Sequence, residues 1–346
     1  MSGGSGSEIG VVRVVDSPET HPGAEVVGHL VNGSAKSAAR AVEILNGYDA
    51  VLVQHEYGIY GGPDGSDVLD VIDAVTVPVI VVLHTVLENP SARQRHILLR
   101  LLETCSVVVT MTETARSRLI SVYGADPSQV TVIPHGALDS GRTGSASRSG
   151  DRPLVLTWGL LGPGKGIEWA IDAMAGLRDL NPRYVVAGKT HPKVFERHGE
   201  AYRDSLRARV HERGVGRHVE FDDSYFDVDG LARLVRSADV VLLPYDSREQ
   251  VTSGVLIEAV AAGRPVVSTA FPHAIELLSD GPGLVVPQRD SAALEAALRR
   301  VLTEPGLGAS MASSAARKAP ELLWGAVAQR YQTVADTLAA AVAAAA

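Results

Sequence analysis

A glycine-rich loop with one lysine is the first feature of this sequence that suggests chemistry. The apolar segment PLVLTW (153–158) runs directly into GLLGPGKG (159–166), and a helical pattern starts at Ile167. Glycines let a backbone approach a ligand closely, and the free N–H groups at a helix N-terminus attract anions. Lys165 adds a full positive charge at the same point. We therefore predict that this loop holds phosphate.

Two alternatives remain for this loop. It has the G-x-x-x-x-G-K spacing of a P-loop nucleotide triphosphatase, but Gly166 stands where a P-loop has the Ser or Thr that ligates magnesium. The loop also lies in the middle of the chain, and no partner aspartate can be assigned to it. The other alternative is a tight strand–helix turn with an exposed lysine. Phosphate binding is the favoured interpretation.

A second loop before a helix carries residues suited to a nucleotide or sugar. Residues 242–270 read LLPYDSREQVTSGVLIEAVAAGRPVVSTA, and the predicted helix starts near Ser253. Gln250 and Glu258 are separated by seven residues within this segment. A helix entrance can bind a further anionic or hydroxyl-rich group, and an acidic residue can accept hydrogen bonds from the diol of a ribose. A solvated glutamate on a helix surface is the alternative for Glu258, and a role in binding such a diol is the favoured interpretation, because its neighbours are apolar.

Polar residues also follow two apolar runs in the N-terminal half, AVLVQ (50–54) and PVIVVLH (78–84). Side chains at the carboxyl ends of buried strands face the ligand crevice in doubly wound sheets. A structural role at a strand end is the alternative for each histidine. The residues concerned are His55, Glu56, Tyr57, His84 and Thr85.

Apolar runs that alternate with helical patterns would position all these residues. Continuous runs are typical of strands in a parallel sheet that is covered by helices on both faces. Strands are predicted at 11–15, 50–54, 78–84, 106–111, 129–134, 153–158, 183–188, 218–221, 239–244, 265–269 and 283–287. Helices are predicted near 34–46, 66–74, 90–104, 112–123, 166–178, 193–213, 228–237, 253–262, 273–279 and 291–303. The predicted fold class is α/β, with two Rossmann-like domains in succession.

Composition sets the predicted domain limits. An N-terminal domain over 8–137 is followed by a Gly-, Ser- and Arg-rich linker over 138–152. A C-terminal domain over 153–320 and an Ala-rich helix over 321–346 complete the chain. We expect this last helix to cross back to the N-terminal domain.

Charge and hydropathy exclude several classes of partner. The net charge is −8, and residues 1–140 hold 16 Asp or Glu against 8 Lys or Arg. Nucleic acids and anionic lipid surfaces favour clustered basic residues, so neither is a predicted partner, and membrane association is not expected. Without a secretory signal or an apolar run of about 18 residues, a cytoplasmic location is predicted.

These motifs resemble those of family 4 glycosyltransferases, a retaining group with the GT-B architecture of two facing Rossmann-like domains. GLLGPGKG resembles the G-R-L-x-x-x-K-G loop of that family, and QVTSGVLIEA (250–259) resembles its E-x7-E element. VVAGKTHP (185–192) resembles the strand-and-glycine segment beside the nucleotide, and VIPHGA (132–137) is similar to the I-P-N-G hinge. The resemblance covers most of the chain and is strongest over 154–290.

The resemblance implies transfer of a hexose from a UDP- or GDP-sugar to a hydroxyl of a sugar or other acceptor. It implies that Lys165 contacts the diphosphate, Glu258 the ribose and Gln250 the donor sugar, with His84 near the reacting sugar. These four residues are the predicted catalytic set. The implied donor-binding set is Gly162, Gly164, Lys165, Gly188, Thr190, His191, Ser253, Gly254, Val255 and Glu258. The acceptor side is implied for the polar strand-end residues of the N-terminal half.

The sequence departs from the family pattern at three places. Leu160 stands where the family usually has Arg, and Gln250 replaces the first Glu of the pair. No strand with a glycine-rich loop precedes residue 10, so either the N-terminal sheet is one strand short or the sequence begins within the domain. A catalytically idle nucleotide-sugar-binding protein therefore stays an alternative, as does a GT-B-type epimerase or phosphorylase.

Neither a metal nor another cofactor is predicted. The sequence contains no H-E-x-x-H or paired Cys/His spacing. The Asp-x-Asp at 227–229 is assigned to a surface turn that opens a helix. Lysine and helix dipoles are expected to stabilise the leaving diphosphate instead.

Overall fold

The computed structural model describes residues 8–17, 23, 25–139, 152–224 and 226–345. These residues form two compact units, one within Met1–Pro134 and Val327–Ala346, the other within His135–Ala326. Most of the predicted linker lies outside the described residues, which include only its positions 138, 139 and 152.

Two parallel sheets form the described part of the N-terminal unit. β1 (Val11–Val15) pairs with β2 (Val26–Val31), and no strand pairing joins them to the second sheet within the described residues. The second sheet has the order β3-β4-β5-β6, with strands Val51–His55, Val79–Leu83, Val107–Thr110 and Val130–Val132. The helices are α1 (Ala35–Leu45), α2 (Asp67–Ala74), α3 (Ala92–Thr104) and α4 (Glu113–Tyr123).

The C-terminal unit has one parallel sheet with the order β12-β11-β10-β7-β8-β9. Its strands, from β7 to β12, are Leu154–Trp158, Arg183–Ala187, Val219–Asp222, Val240–Leu243, Val266–Thr269 and Gly283–Val286. Alternate residues of β7 enter different apolar cores, Val155 one and Leu156 the other, so both faces of the sheet are covered. The strand order reverses between β7 and β10, which is where ligands bind in doubly wound sheets. The predicted fold class is confirmed.

Nine α-helices belong to the C-terminal half of the described chain. They are α5 to α13, at Ile167–Gly176, Pro192–His198, Ala201–Glu212, Val228–Ser237, Gly254–Ala261, Pro272–Leu278, Ser291–Thr303, Leu307–Leu322 and Trp324–Ala345. The prediction of one helix over 193–213 is wrong, because the chain takes a φ of +55° at Gly199 and ends α6 there. A left-handed φ is accessible to glycine at little cost, so this residue permits the break.

The last helix returns to the N-terminal unit, as expected. Val327 and Tyr331 of α13 share an apolar core with Ile80 and Val82 of β4. In the chain as described, no helix is both long and apolar enough to cross a membrane.

Candidate functional site

The loop after β7 lies so close to its neighbours that two positions require glycine. At Gly166, where φ is +63°, an added Cβ would lie 2.9 Å from the carbonyl carbon of Pro244 and closer still to its oxygen. At Gly188, where φ is +133°, an added Cβ would meet Gly159 in the same way. Backbone atoms cannot move aside as a flexible side chain does. Only glycine at these two positions therefore lets the loop lie this close to the ends of β8 and β10.

Lys165 lies over an aromatic ring in this loop. Its Nζ atom is 4.3 Å from the centroid of the Tyr245 ring, within the range of a cation–π interaction. Burial lowers the pKa of the half-buried lysine, and no carboxylate in the described residues forms an ion pair with it. The ammonium group therefore lacks a counter-ion, which a bound diphosphate could supply. The backbone N–H of Asp246 donates to the Gly164 carbonyl over 2.9 Å and holds the loop in place.

Glu258 lies on α9 next to the end of β7. The indole Nε1–H of Trp158 donates to Glu258 Oε2 over 3.3 Å. Burial raises the pKa of Glu258. Burial and, more weakly, the charge of Glu258 raise the pKa of Tyr245. Tyr245 therefore lies within electrostatic reach of both Lys165 and Glu258, at the switch point of one sheet.

The start of α9 is capped by hydrogen bonds of Ser253. The Ser253 hydroxyl accepts from the N–H of Leu256 over 3.3 Å, and the Ser253 N–H donates to His273 Nδ1 over 2.8 Å. Burial lowers the pKa of His273 to about 4, so the ring is neutral near pH 7 and can act as that acceptor. Within the described residues, the N–H groups of Gly254 and Val255 have no acceptor. They are the free amides of a helix N-terminus, which can bind an anionic or hydroxyl-rich group.

The segment after β8 lies beside the glycine-rich loop. The Leu161 carbonyl accepts a hydrogen bond from the N–H of His191 over 2.8 Å. The buried Thr190 hydroxyl donates a hydrogen bond to the Glu200 carboxylate. His191 also caps α6, because its Nδ1 atom accepts from the N–H of Lys193 over 3.2 Å. A neutral histidine that accepts at Nδ1 carries its proton on Nε2 and is a donor there.

The predicted donor residues all lie on loops or helices that follow β7, β8 or β10. Their binding roles stay predictions. Gln250 lies in the loop before α9, where its carbonyl accepts a long, 3.5 Å bond from the N–H of His273. In the described residues its side chain has no hydrogen bond, so it is available to a ligand.

In the N-terminal unit, polar residues at the ends of β3 and β4 contact one another. The Thr85 hydroxyl donates to Glu56 Oε2 over 2.5 Å, and Glu56 Oε1 accepts from the N–H of Tyr57 over 3.0 Å. His84 Nε2 lies 2.7 Å from Gln54 Oε1. An amide oxygen only accepts, so His84 is protonated at Nε2 in this arrangement. The predicted acceptor-side residues thus include a hydrogen-bonded cluster, whose role in binding stays a prediction.

His55 differs from its neighbours because its side chain is fully buried. Neither ring nitrogen has a hydrogen-bond partner within the described residues. Burial and, secondarily, the nearby His84 lower the pKa of His55 to about 4. The structure places this ring inside the N-terminal unit, where it contacts the Tyr57 ring edge-on at 5.1 Å. A direct contact of His55 with an acceptor stays a prediction.

The sequence interpretation missed three side chains of the site. Trp158 donates a hydrogen bond to Glu258, the Tyr245 ring contacts the Lys165 ammonium group, and His273 accepts a hydrogen bond from the N–H of the α9 cap residue Ser253. Trp158 is the last residue of β7, and Tyr245 lies two residues after β10 ends. An aromatic residue at the end of a central strand was the available signal for both.

Potential metal ligands are dispersed in this structure. Among the described residues, no group of three or more His, Cys, Asp or Glu side chains could hold a metal ion. Asp227 caps α8 by accepting from the N–H of Gly230 over 2.7 Å. The Asp-x-Asp sequence therefore opens a helix, as predicted.

Two family models and several curated proteins are similar to this chain in sequence. The family model described as Glycosyltransferase Family 4 matches residues 11–137, and that described as Glycosyl transferases group 1 matches 152–304. D-inositol 3-phosphate glycosyltransferase of Kineococcus radiotolerans is 31% identical over 259 residues, which are 66% of this chain and 57% of that protein. Phosphatidyl-myo-inositol mannosyltransferase of Mycobacterium leprae is 28% identical, over 67% of this chain and 59% of that protein. The chain thus spans somewhat more than half the length of these curated relatives.

Solved structures share the fold at low sequence identity. Anabaena Alr3699/HepE in complex with UDP and glucose has a TM-score of 0.74 and 20% identity, over 90% of this chain and 86% of that one. Sucrose-phosphate synthase from Thermosynechococcus elongatus has a TM-score of 0.72 and 21% identity, over 92% and 82%. With both halves of the sequence matched by glycosyltransferase models, and with two Rossmann-like units, the chain belongs to glycosyltransferase family 4 and has the GT-B fold.

Proposed function

We propose that this protein is a retaining glycosyltransferase that moves a hexose from a UDP- or GDP-sugar to an acceptor hydroxyl without a metal ion. The observation that carries the proposal is the arrangement of Lys165 and Glu258 at the switch point of the C-terminal sheet. Tyr245 and Trp158 hold them there through the 4.3 Å cation–π contact and the 3.3 Å hydrogen bond. A cation and a carboxylate at this position suit the diphosphate and the ribose of one nucleotide.

The proposed mechanism uses electrostatic stabilisation of the leaving group. Negative charge develops on the diphosphate as its bond to the sugar breaks, and in this mechanism Lys165 and the free amides of α9 stabilise that charge. The oxocarbenium-like sugar is attacked by an acceptor hydroxyl from the face that the diphosphate leaves. The departing phosphate takes the acceptor proton, so this route needs no side chain as base.

A second candidate function is binding of a nucleotide sugar without transfer. It is favoured by two residues of the site, Leu160 in place of a second cation and the uncharged Gln250. The two functions predict the same ligand but different products. Measured transfer or donor hydrolysis above background decides between them.

The first experiment is a thermal-shift series with UDP, GDP and ADP. UDP is the first to test, because the HepE structures of the same fold contain it. A ligand at 100 times its Kd stabilises the folded state by about 2.7 kcal/mol, which raises the Tm by about 5–10 °C for a unit of this size. Lys165→Ala should remove most of this shift. Lys318→Ala is the matched control, because it removes an equal charge at a lysine of α12 that forms an ion pair with Asp280.

The second experiment measures chemistry with the donor selected in the first. Transfer to an acceptor, or slow donor hydrolysis, should be lost in Lys165→Ala and unchanged by a metal chelator. Product analysis separates transfer from epimerisation or phosphorolysis. No shift with any nucleoside diphosphate would contradict the proposal.

A further inference from the structure

A basic cavity lies beside Lys165 in the C-terminal unit. It has a volume of about 390 Å³ and lies between the glycine-rich loop and α6. No carboxylate of the described residues lines it. The residues that line the cavity include Leu160, Lys165, His191, Lys193, Arg197 and His198. A concave site lined by three cations and no anion favours a negatively charged ligand.

Two of these cations come from one face of α6. Lys193 and Arg197 are four residues apart, so their side chains lie one turn apart on the same side of the helix. Gly162 lets α6 approach the loop, because a Cβ there would lie 3.2 Å from Val194 Cγ2. The break at Gly199 lets α7 pack separately on α5.

Arg197 differs from the other arginine nearby in what it contacts. Arg203 on α7 is 3% exposed, donates to the Gly188 carbonyl over 2.5 Å and pairs with Glu200 over 3.4 Å. Its contacts support the segment after β8. Arg197 is exposed and forms no ion pair in the part of the chain that the structure describes. Its guanidinium is therefore available to an anion.

Leu160 lines the same cavity and is 47% exposed. This is the position at which the family pattern has a second cation. We propose that Arg197, with Lys193, supplies that charge from α6 and binds the donor diphosphate together with Lys165. The inference rests on the proposed function, because its ligand is the nucleoside diphosphate of that function.

The test compares UDP with uridine, which lacks the phosphates, by calorimetric titration of the full chain. Arg197→Ala should weaken UDP binding by about tenfold, which is about 1.4 kcal/mol, and leave uridine binding unchanged. Lys193→Ala should act in the same direction. Arg207→Ala is the matched control, because it removes an exposed arginine of α7 that pairs with Asp204 over 3.3 Å.

A rescue variant separates a charge effect from damage to α6. Leu160→Arg, combined with Arg197→Ala, should restore UDP affinity to within about threefold of the parent protein, because it returns a cation to the same cavity. If GDP or ADP is the nucleotide that binds, the same series uses it and its nucleoside.

The outcomes distinguish this inference from the proposed function. If Lys165→Ala loses UDP affinity while Arg197→Ala and Lys193→Ala keep it, the inference is overturned and the proposed function stands. Equal losses of UDP and uridine affinity in Arg197→Ala, without rescue by Leu160→Arg, also overturn it. If the parent protein binds no nucleoside diphosphate, the proposed function fails, and the inference fails with it.

Discussion

Replacing Gly166 by alanine should force apart the two loops that form the donor site. An added Cβ would lie 2.9 Å from the Pro244 carbonyl carbon, whereas ordinary contact begins at 3.4 Å, so the loops must separate by more than about 0.5 Å. Overpacking of this kind costs about 1–3 kcal/mol. The φ of +63° adds about 1–2 kcal/mol for a residue with a Cβ. We expect a total loss of about 2–5 kcal/mol.

Gly164→Ala is the matched control, because it shares the unfavourable φ but not the clash. Gly164 has a φ of +89°, and an added Cβ would meet no atom within 4 Å. This variant should lose about 1–2 kcal/mol only, the cost of the backbone conformation. Urea unfolding of both variants, followed by tryptophan fluorescence, measures the difference.

UDP affinity provides the second measurement on the same pair. Displacement of the loop moves Lys165 relative to α9, so Gly166→Ala should bind UDP about tenfold more weakly than Gly164→Ala. Equal stability and equal UDP affinity in the two variants would refute the close approach of the loops at Pro244.

Three further predictions concern the site and the buried histidines. Glu258→Gln should weaken the binding of UDP by about tenfold. The affinity for UMP should fall by the same factor, because the affected contact is to the ribose, which both nucleotides contain. Titration with both nucleotides checks this. Trp158→Phe should cost about 1 kcal/mol of stability in urea unfolding and shift the pKa of Glu258 further upward, since it removes the only described hydrogen bond to that carboxylate. Burial lowers the folded-state pKa values of His55 and His273 to about 4 from 6.5. The free energy of unfolding should therefore be highest above pH 6.5 and decrease as the pH drops toward 4, by up to about 3 kcal/mol for each ring. His273→Asn and His55→Leu should each flatten this slope in urea unfolding at different pH values, and an unchanged slope would contradict the burial of these rings.

Much of the fold could be predicted because its strands are continuous apolar runs. All five residues of β4 and of β7 are buried, so their sequences show no alternation. β2 was missed because Gly28 and His29 interrupt its apolar run. α12 was missed; it is rich in Ala and Ser and contains Pro320, a residue type that disfavours a helix interior.

The site could be predicted only in part, for a physical reason. Lys165 lies in a recognisable loop after one strand, and Glu258 lies on the helix that follows another, so their types and spacing indicate their chemistry. The contacts of Trp158 and Tyr245 depend on which strands are neighbours, and that order is set by tertiary packing. The position of α6 likewise depends on the break at Gly199, which a single glycine in a charged helical pattern does not reveal.

A crystal structure of the protein with UDP, or with whichever nucleoside diphosphate binds, tests the central claim most directly. The account predicts Lys165 Nζ within about 3 Å of a phosphate oxygen and the Glu258 carboxylate within about 3 Å of a ribose hydroxyl of the same molecule. A nucleotide that is bound elsewhere, or that contacts neither residue, would contradict it.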